Sequence, residues 1–207
     1  MEKNKYENKE NNYLYHFVYV CLKFFFKVFA HLETRGKLPP SDGAILCSNH
    51  LSNFDPPVIA TAASGRTLNF MAKKELFASP FTAFLLRKLN TFPVNRSFFD
   101  RASFRKAVNT VNSGGNLLVF PEGTRNKTGN PRLGNIRRAV SYIIYNTNKP
   151  VVPVYVRGTN KFARRGLKAS VSFGEPLEFP ERKMPYTREI SEKICAKIRD
   201  GINAASN

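Results

Sequence analysis

Tryptophan is absent from this 207-residue sequence, and cysteine is nearly so, with Cys21, Cys47 and Cys195 far apart. An odd number of cysteines with no CxxC pair argues against a disulfide framework and against a zinc site, and fits a reducing compartment. Acidic residues are scarce: 15 Asp and Glu face 33 Lys and Arg, for a formal net charge of +18. That balance implies an anionic partner, whether nucleic acid, anionic lipid headgroups or a phosphorylated substrate, and does not by itself choose among them. Also missing is a long uncharged apolar run. The most hydrophobic stretch, residues 13–32 (YLYHFVYVCLKFFFKVFAHL), is interrupted by Lys23 and Lys27. Its longest uncharged part, Tyr13 to Leu22, is about half of what a bilayer span needs. Residues 1–12 mix acids and bases with no convincing cleavage site after the apolar part, so a disordered tail is expected there and no secretory signal. No internal repeat and no nucleic-acid-binding motif is visible.

What is present begins with aromatic residues, 18 Phe and 8 Tyr, many of them crowded into residues 13–32. This clustering favours a membrane surface over nucleic acid as the anionic partner. Lys23 and Lys27 are four apart, so a helix sets them on one face, while Phe17, Phe24, Phe25 and Val28 can face elsewhere. An amphipathic membrane-associated helix is expected over residues 13–34, lying in the headgroup region with its lysines on lipid phosphates. The alternative is a core helix packed on the rest of the chain.

The remaining length, residues 35–207, suits one domain. After the turn Pro39-Pro40-Ser41-Asp42-Gly43, strands are expected at AILCSNH, Leu68–Ala72, TFPV (91–94), NLLVF (116–120), VVPVYV (151–156) and 169–173. Helices are expected from Asp55, with Asp55 as N-cap and proline following, and over 80–89, 100–112, 136–147 and 187–202. Strands alternating with helices predict an α/β single domain with a central, largely parallel mixed sheet flanked by helices. In such sheets sites collect at the carboxyl ends of strands, and both chemically loaded loops fall there.

The first loop is Asn49-His50-Leu51-Ser52-Asn53-Phe54-Asp55. A carboxylate five residues after a histidine, across a turn into a helix, can reach back to one ring nitrogen and fix the tautomer. The other nitrogen is then free to take a proton from a substrate hydroxyl. The bland reading of the same pair is helix capping. The second loop is Phe120-Pro121-Glu122-Gly123-Thr124-Arg125. Gly123 allows close backbone approach. Arg125 can grip a phosphate with two parallel hydrogen bonds. Glu122 can hold Arg125 or accept from a substrate hydroxyl, and a plain ion pair within a turn is the alternative.

Together NHLSNFD and FPEGTR resemble the paired motifs of the glycerophosphate acyltransferases, and most closely those of the 1-acyl-sn-glycerol-3-phosphate acyltransferases. FMAKKELF (70–77) is similar to the block that brings a lysine, Lys73, to the site, and NTFPVNR (90–96) to the block ending in an arginine, Arg96. VVPVYV (151–156) is similar to the last block, so the resemblance runs over roughly residues 35–160. Two departures stand out. Asn90 occupies a position where that family usually has glycine, and Ile136-Arg137-Arg138-Ala139 stands for an F-K-x-G-like stretch, keeping charge but not lysine's shape.

The resemblance implies that His50 is the general base and Asp55 its partner. It further implies that Glu122, Gly123, Thr124, Arg125, Arg96 and Lys73 bind substrate, with backbone N–H groups near Gly123 facing the oxyanion. The implied reaction moves a fatty acyl group from acyl-CoA or acyl carrier protein to lysophosphatidic acid, with no metal and no cofactor beyond that co-substrate. An anionic membrane surface would be a partner, at the cytoplasmic face, and nucleic acid would not. Glycerol 3-phosphate or another lysolipid is the alternative acceptor, and a non-catalytic basic lipid- or nucleic-acid-binding protein is the alternative class. The basic run Arg157 to Lys168 is a further candidate for lipid or donor contact.

Overall fold

A computed structural model describes residues 13–38, 40–95, 100–126, 133–161 and 167–206, with backbone alone at 27–30 and 167. In chain order the elements are α1 (Tyr13–Phe29), β1 (Ala30–Arg35), β2 (Ile45–Ser48), α2 (Asp55–Ala62), β3 (Leu68–Lys73), α3 (Pro80–Lys88), β4 (Thr91–Val94), α4 (Arg101–Asn112), β5 (Asn116–Val119), α5 (Ala139–Tyr145), β6 (Val151–Arg157), β7 (Leu167–Phe173) and α6 (Arg188–Ala204).

The runs ILCS and NLLV carry no polar alternation because both faces of their strands are covered, and every residue of β2 and β5 is buried. These strands lie at the middle of one sheet of order β1-β7-β6-β2-β5-β3-β4. All neighbours are parallel except β6 and β7. Side chains alternate between two cores, as the period of a strand demands. Ile45, Cys47, Leu117 and Val119 pack against Val111 of α4, Ile143 of α5 and Ile194, Ile198 and Ile202 of α6. Leu46, Leu118, Val152 and Val154 pack against Val58 and Ile59 of α2 and Phe26 of α1. The result is an α/β domain with a mostly parallel sheet between two helical layers.

Three expectations are corrected. The helix expected over residues 13–34 ends at Phe29, and Ala30–Arg35 instead forms an edge strand paired in parallel with β7. The helix expected from residue 136 begins at Ala139. Asp55 is not an N-cap: the cap position is Phe54, with no side-chain cap, and Asp55, Pro56 and Pro57 form the first turn. Two prolines there remove two N–H groups that would otherwise lack partners, so the helix starts without consuming the Asp55 carboxylate.

Asn90 adopts φ +55, the left-handed region that favours glycine and that asparagine tolerates better than most residues. It stops α3 and turns the chain into β4, its N–H donating to the Arg87 carbonyl at 3.0 Å and its carbonyl accepting from Phe70 at 3.0 Å. The departure from glycine therefore preserves the conformation.

One face of α1 packs on the domain, where Tyr15 and Phe26 are buried and the Tyr15 hydroxyl accepts from the Leu68 N–H at 3.0 Å. The opposite stripe, Tyr13, Phe17, Val20 and Phe24, is exposed by 77%, 66%, 60% and 65%. The helix is thus apolar on both sides, with Lys23 exposed beside the outer stripe. No helix among the described residues is long and apolar enough to cross a membrane.

Candidate active site

Pairing between the two central strands sets the site. Cys47 lies opposite Val119, so the loops that leave β2 and β5 bring His50 and Glu122 to the same level. The His50 N–H donates to Glu122 Oε2 at 3.2 Å, and the Asn126 N–H donates to the His50 carbonyl at 2.7 Å. Glu122 Oε1 accepts from the Gly134 N–H at 3.2 Å. Glu122 is therefore a brace between loops and does not hold Arg125. On the other side of β2, the buried Asn49 amide donates to the Val156 carbonyl at 2.9 Å and accepts from the Val156 N–H at 2.8 Å. The histidine backbone is thus fixed from both neighbouring strands.

His50 Nδ1 lies 2.7 Å from Asp55 Oδ2. The same oxygen accepts from the N–H groups of Leu51 at 2.6 Å and Ser52 at 2.8 Å. Asp55 Oδ1 accepts from the Thr159 hydroxyl at 2.5 Å. The Asp55 side chain is fully buried, where an ionised carboxylate is stable only with such a set of donors. Thr159 comes from the loop after β6, reached through Gly158 at φ +90, where a Cβ would run into the Lys168 carbonyl. In the neutral ring, a hydrogen bond donated from Nδ1 to the carboxylate leaves the lone pair on Nε2. The ring stacks on Phe120, centroids 4.0 Å apart and planes at 20°, and its side chain keeps 12% of its surface exposed. Nε2 has no protein partner among the described residues.

His50 lines a cavity of about 740 Å³. Its walls are mostly apolar: Leu22 of α1, Ala60 of α2, Phe70 of β3, and Leu86 and Leu89 at the end of α3. Lys73, Thr124 and Arg125 supply polar groups to the same cavity. Lys73 is half-exposed at the end of β3, with Glu75 at 3.2 Å. Arg125 is exposed, and no carboxylate among the described residues pairs with it. The arrangement joins a base, cations and a greasy pocket, which matches a hydroxyl-bearing amphiphile with an anionic head.

Other expected positions fall elsewhere. Arg96 lies outside the described residues, as do residues 162–166 of the basic run. Gly123 does not line this cavity. Its φ of +68 closes a tight turn in which its N–H donates to the Phe120 carbonyl at 2.9 Å. The Arg137 side chain crosses Gly123 so closely that a Cβ would sit 2.6 Å from its Cδ. Gly123 and Arg137 instead line a second cavity of about 430 Å³, with Asn95, Phe104 and Arg138. Thr159, Asn49 and the Phe120 ring, none of them singled out from the sequence, complete the histidine's surroundings. Thr159 stands 104 residues from Asp55, and no local pattern marks it.

The chain is similar to known acyltransferases. A chloroplastic 1-acyl-sn-glycerol-3-phosphate acyltransferase of Brassica napus is 29% identical over 175 residues, covering 82% of this chain and 48% of that protein. The Bacillus subtilis 1-acyl-sn-glycerol-3-phosphate acyltransferase is 27% identical over 143 residues, 68% of this chain and 69% of that protein. The crystal structure of the 1-acyl-sn-glycerophosphate (LPA) acyltransferase from Thermotoga maritima shares the fold, with a TM-score of 0.69 at 24% identity, over 96% of this chain and 82% of that one. The chain spans about half the length of the plant relatives it matches. The model of the Acyltransferase family matches residues 30–157, which hold both loops of the site, and the chain belongs to that family.

Proposed function

We propose that the chain transfers a fatty acyl group from the thioester of acyl-CoA or acyl carrier protein to the sn-2 hydroxyl of 1-acyl-sn-glycerol 3-phosphate, forming phosphatidic acid. The observation that carries this reading is the cavity itself. The Asp55-bound imidazole, the Arg125 guanidinium and the Lys73 ammonium share one space with an apolar wall. The relatives named above are called 1-acyl-sn-glycerol-3-phosphate acyltransferases, which supports this acceptor.

In this mechanism His50 Nε2 takes the proton of the acceptor hydroxyl as its oxygen attacks the thioester carbonyl. The carbon–sulfur bond then breaks, and the imidazolium returns the proton to the leaving thiolate. The products are the ester and a free thiol, with no acyl-enzyme. Asp55 stabilises the imidazolium between these steps, and base catalysis of this kind is worth on the order of 10²–10⁴-fold. Arg125 and Lys73 hold the phosphate, and the apolar wall holds an acyl chain, which glycerol 3-phosphate lacks. The exposed aromatic stripe of α1 lies on an anionic membrane and keeps the site at the lipid surface, as a peripheral or monotopic protein at the cytoplasmic face.

The test is thiol release by purified protein with both donors over a panel of lysophosphatidic acid, glycerol 3-phosphate and other lysolipids. Release that depends on lysophosphatidic acid and disappears in His50→Ala, with unchanged circular dichroism, is expected. Near-normal turnover in His50→Ala, or thiol release without any acceptor, refutes the mechanism.

A further inference from the structure

We propose that α3, with the 3-10 turn Lys74–Phe77 before it, is a second membrane-contacting element, and that the cavity opens toward the bilayer between it and α1. This rests on the lipid-acceptor reading above and adds to it the route by which the acceptor enters.

Of α3, Ala83 alone is buried. Phe81, Phe84 and Leu76 are exposed by 75%, 57% and 55%, large rings and a branched chain that the domain itself does not cover. Phe81, Phe84 and Lys88 follow at i, i+3 and i+7 and so share a face. Lys88 Nζ stands 5.9 Å from the Phe84 ring centroid, and the Arg87 guanidinium stands 5.9 Å from that of Phe77. Lys73, Lys74, Arg87 and Lys88 belong to the same segment, and its acid, Glu75, is ion-paired to Lys73. Exposed rings with cations beside them match a layered partner, apolar beneath an anionic surface, which is an anionic bilayer.

The position of the segment points the same way. Leu76, Leu86 and Leu89 turn toward the cavity from this side. Tyr15, Val18, Tyr19 and Leu22 line it from α1, whose outer stripe is the exposed Tyr13, Phe17, Val20 and Phe24. Phe54, 53% exposed, stands between Asn53 and Pro56, which also line the cavity. Exposed apolar groups therefore flank the cavity from α1, from the histidine loop and from α3. A lysolipid can slide from the bilayer between the two helices with its chain never crossing water, and its head meets Lys73 at the rim.

Because the sequence holds no tryptophan, Phe84→Trp is a clean optical probe. With vesicles of phosphatidylcholine and phosphatidylglycerol, its emission should shift to the blue, and lipids brominated in the acyl chain should quench it. Phe81→Ser/Phe84→Ser should reduce sedimentation with those vesicles by at least about tenfold. Neither ring lines the cavity, so this variant should keep turnover of a short-chain, monomerically soluble lysophosphatidic acid. Unshifted, unquenched emission from the Phe84→Trp protein, or wild-type sedimentation of the double variant, overturns the proposal and leaves the acyl-transfer reading standing. Loss of carrier-protein binding with vesicle binding intact assigns the face to a protein and likewise overturns it. Absence of turnover in the unmodified protein refutes the acyl-transfer reading instead.

Discussion

Replacing Asp55 by asparagine isolates the charge of the carboxylate from its shape. Asp55 Oδ2 receives His50, Leu51 and Ser52, and Oδ1 receives Thr159. The amide keeps its carbonyl toward the three donors and sets its NH2 against the Thr159 hydroxyl, which rotates to accept. The loop therefore persists. Hydrogen bonds to a charge are worth about 1.5–3 kcal/mol and neutral ones about 0.5–1.5, so four weaken by about 1 kcal/mol each. The desolvation of a buried carboxylate, no longer required, offsets most of that sum, leaving about 1–2 kcal/mol of destabilisation. For a chain of this size that lowers Tm by roughly 2–8 °C. Catalysis loses more. Without a negative partner the imidazolium is not stabilised, and kcat should fall by about 10²–10⁴-fold, or roughly 3–5 kcal/mol of barrier. KM for the acceptor should hardly move, since Arg125 and Lys73 are untouched. Thiol release under saturating donor, with thermal unfolding run beside it, separates the two effects. A kcat within about threefold of wild type, or a loss confined to KM, refutes the role given to this carboxylate.

Thr159→Val removes the donor to Asp55 Oδ1 and leaves a buried acceptor unmatched, so stability should drop by about 1–3 kcal/mol and kcat by about tenfold, both recovered in Thr159→Ser. Arg125→Ala should raise acceptor KM by about tenfold or more with kcat little changed, measured by titrating lysophosphatidic acid at fixed donor. The Asp100 carboxyl is held below the usual range, first by the Asn95 N–H and then by Ser103. A depressed folded pKa adds stability above the unfolded value near ~3.9, and this is lost as pH falls through the folded value. Urea midpoints should therefore decline less steeply below about pH 4 in Asp100→Asn than in wild type.

Much of this fold is written in local patterns. The central strands are short apolar runs that no amphipathic helix would show, and α6 carries Ile190, Ile194, Ile198 and Ile202 at every fourth position behind a Thr187 cap that accepts from the Ile190 N–H. The pairing of His50 with Asp55 is local as well, five residues apart and closed by one turn. What stayed hidden depends on distant partners. AHLETR is short, charged and alternating, and it becomes a strand because β7, 137 residues later, offers it an edge. Glu122 stands close to a basic residue in sequence, which suggests an ion pair. Its real partners are backbone N–H groups brought by a neighbouring strand and a later loop. Asn90 departs from glycine by name and keeps the backbone conformation that glycine favours.

The order of the sheet separates two tasks. The base hangs from β2 and β5, in the middle, where neighbours on both sides clamp the chain. Two of the cavity's walls, by contrast, belong to the margins: α1 runs into edge strand β1, and α3 leads into edge strand β4. Changes in wall spacing, through a bulkier side chain or a tilted helix, can therefore retune which lipid fits while the proton-transfer geometry stays put. Selectivity in such a scaffold is adjustable at its periphery, and reactivity is held fixed at its axis.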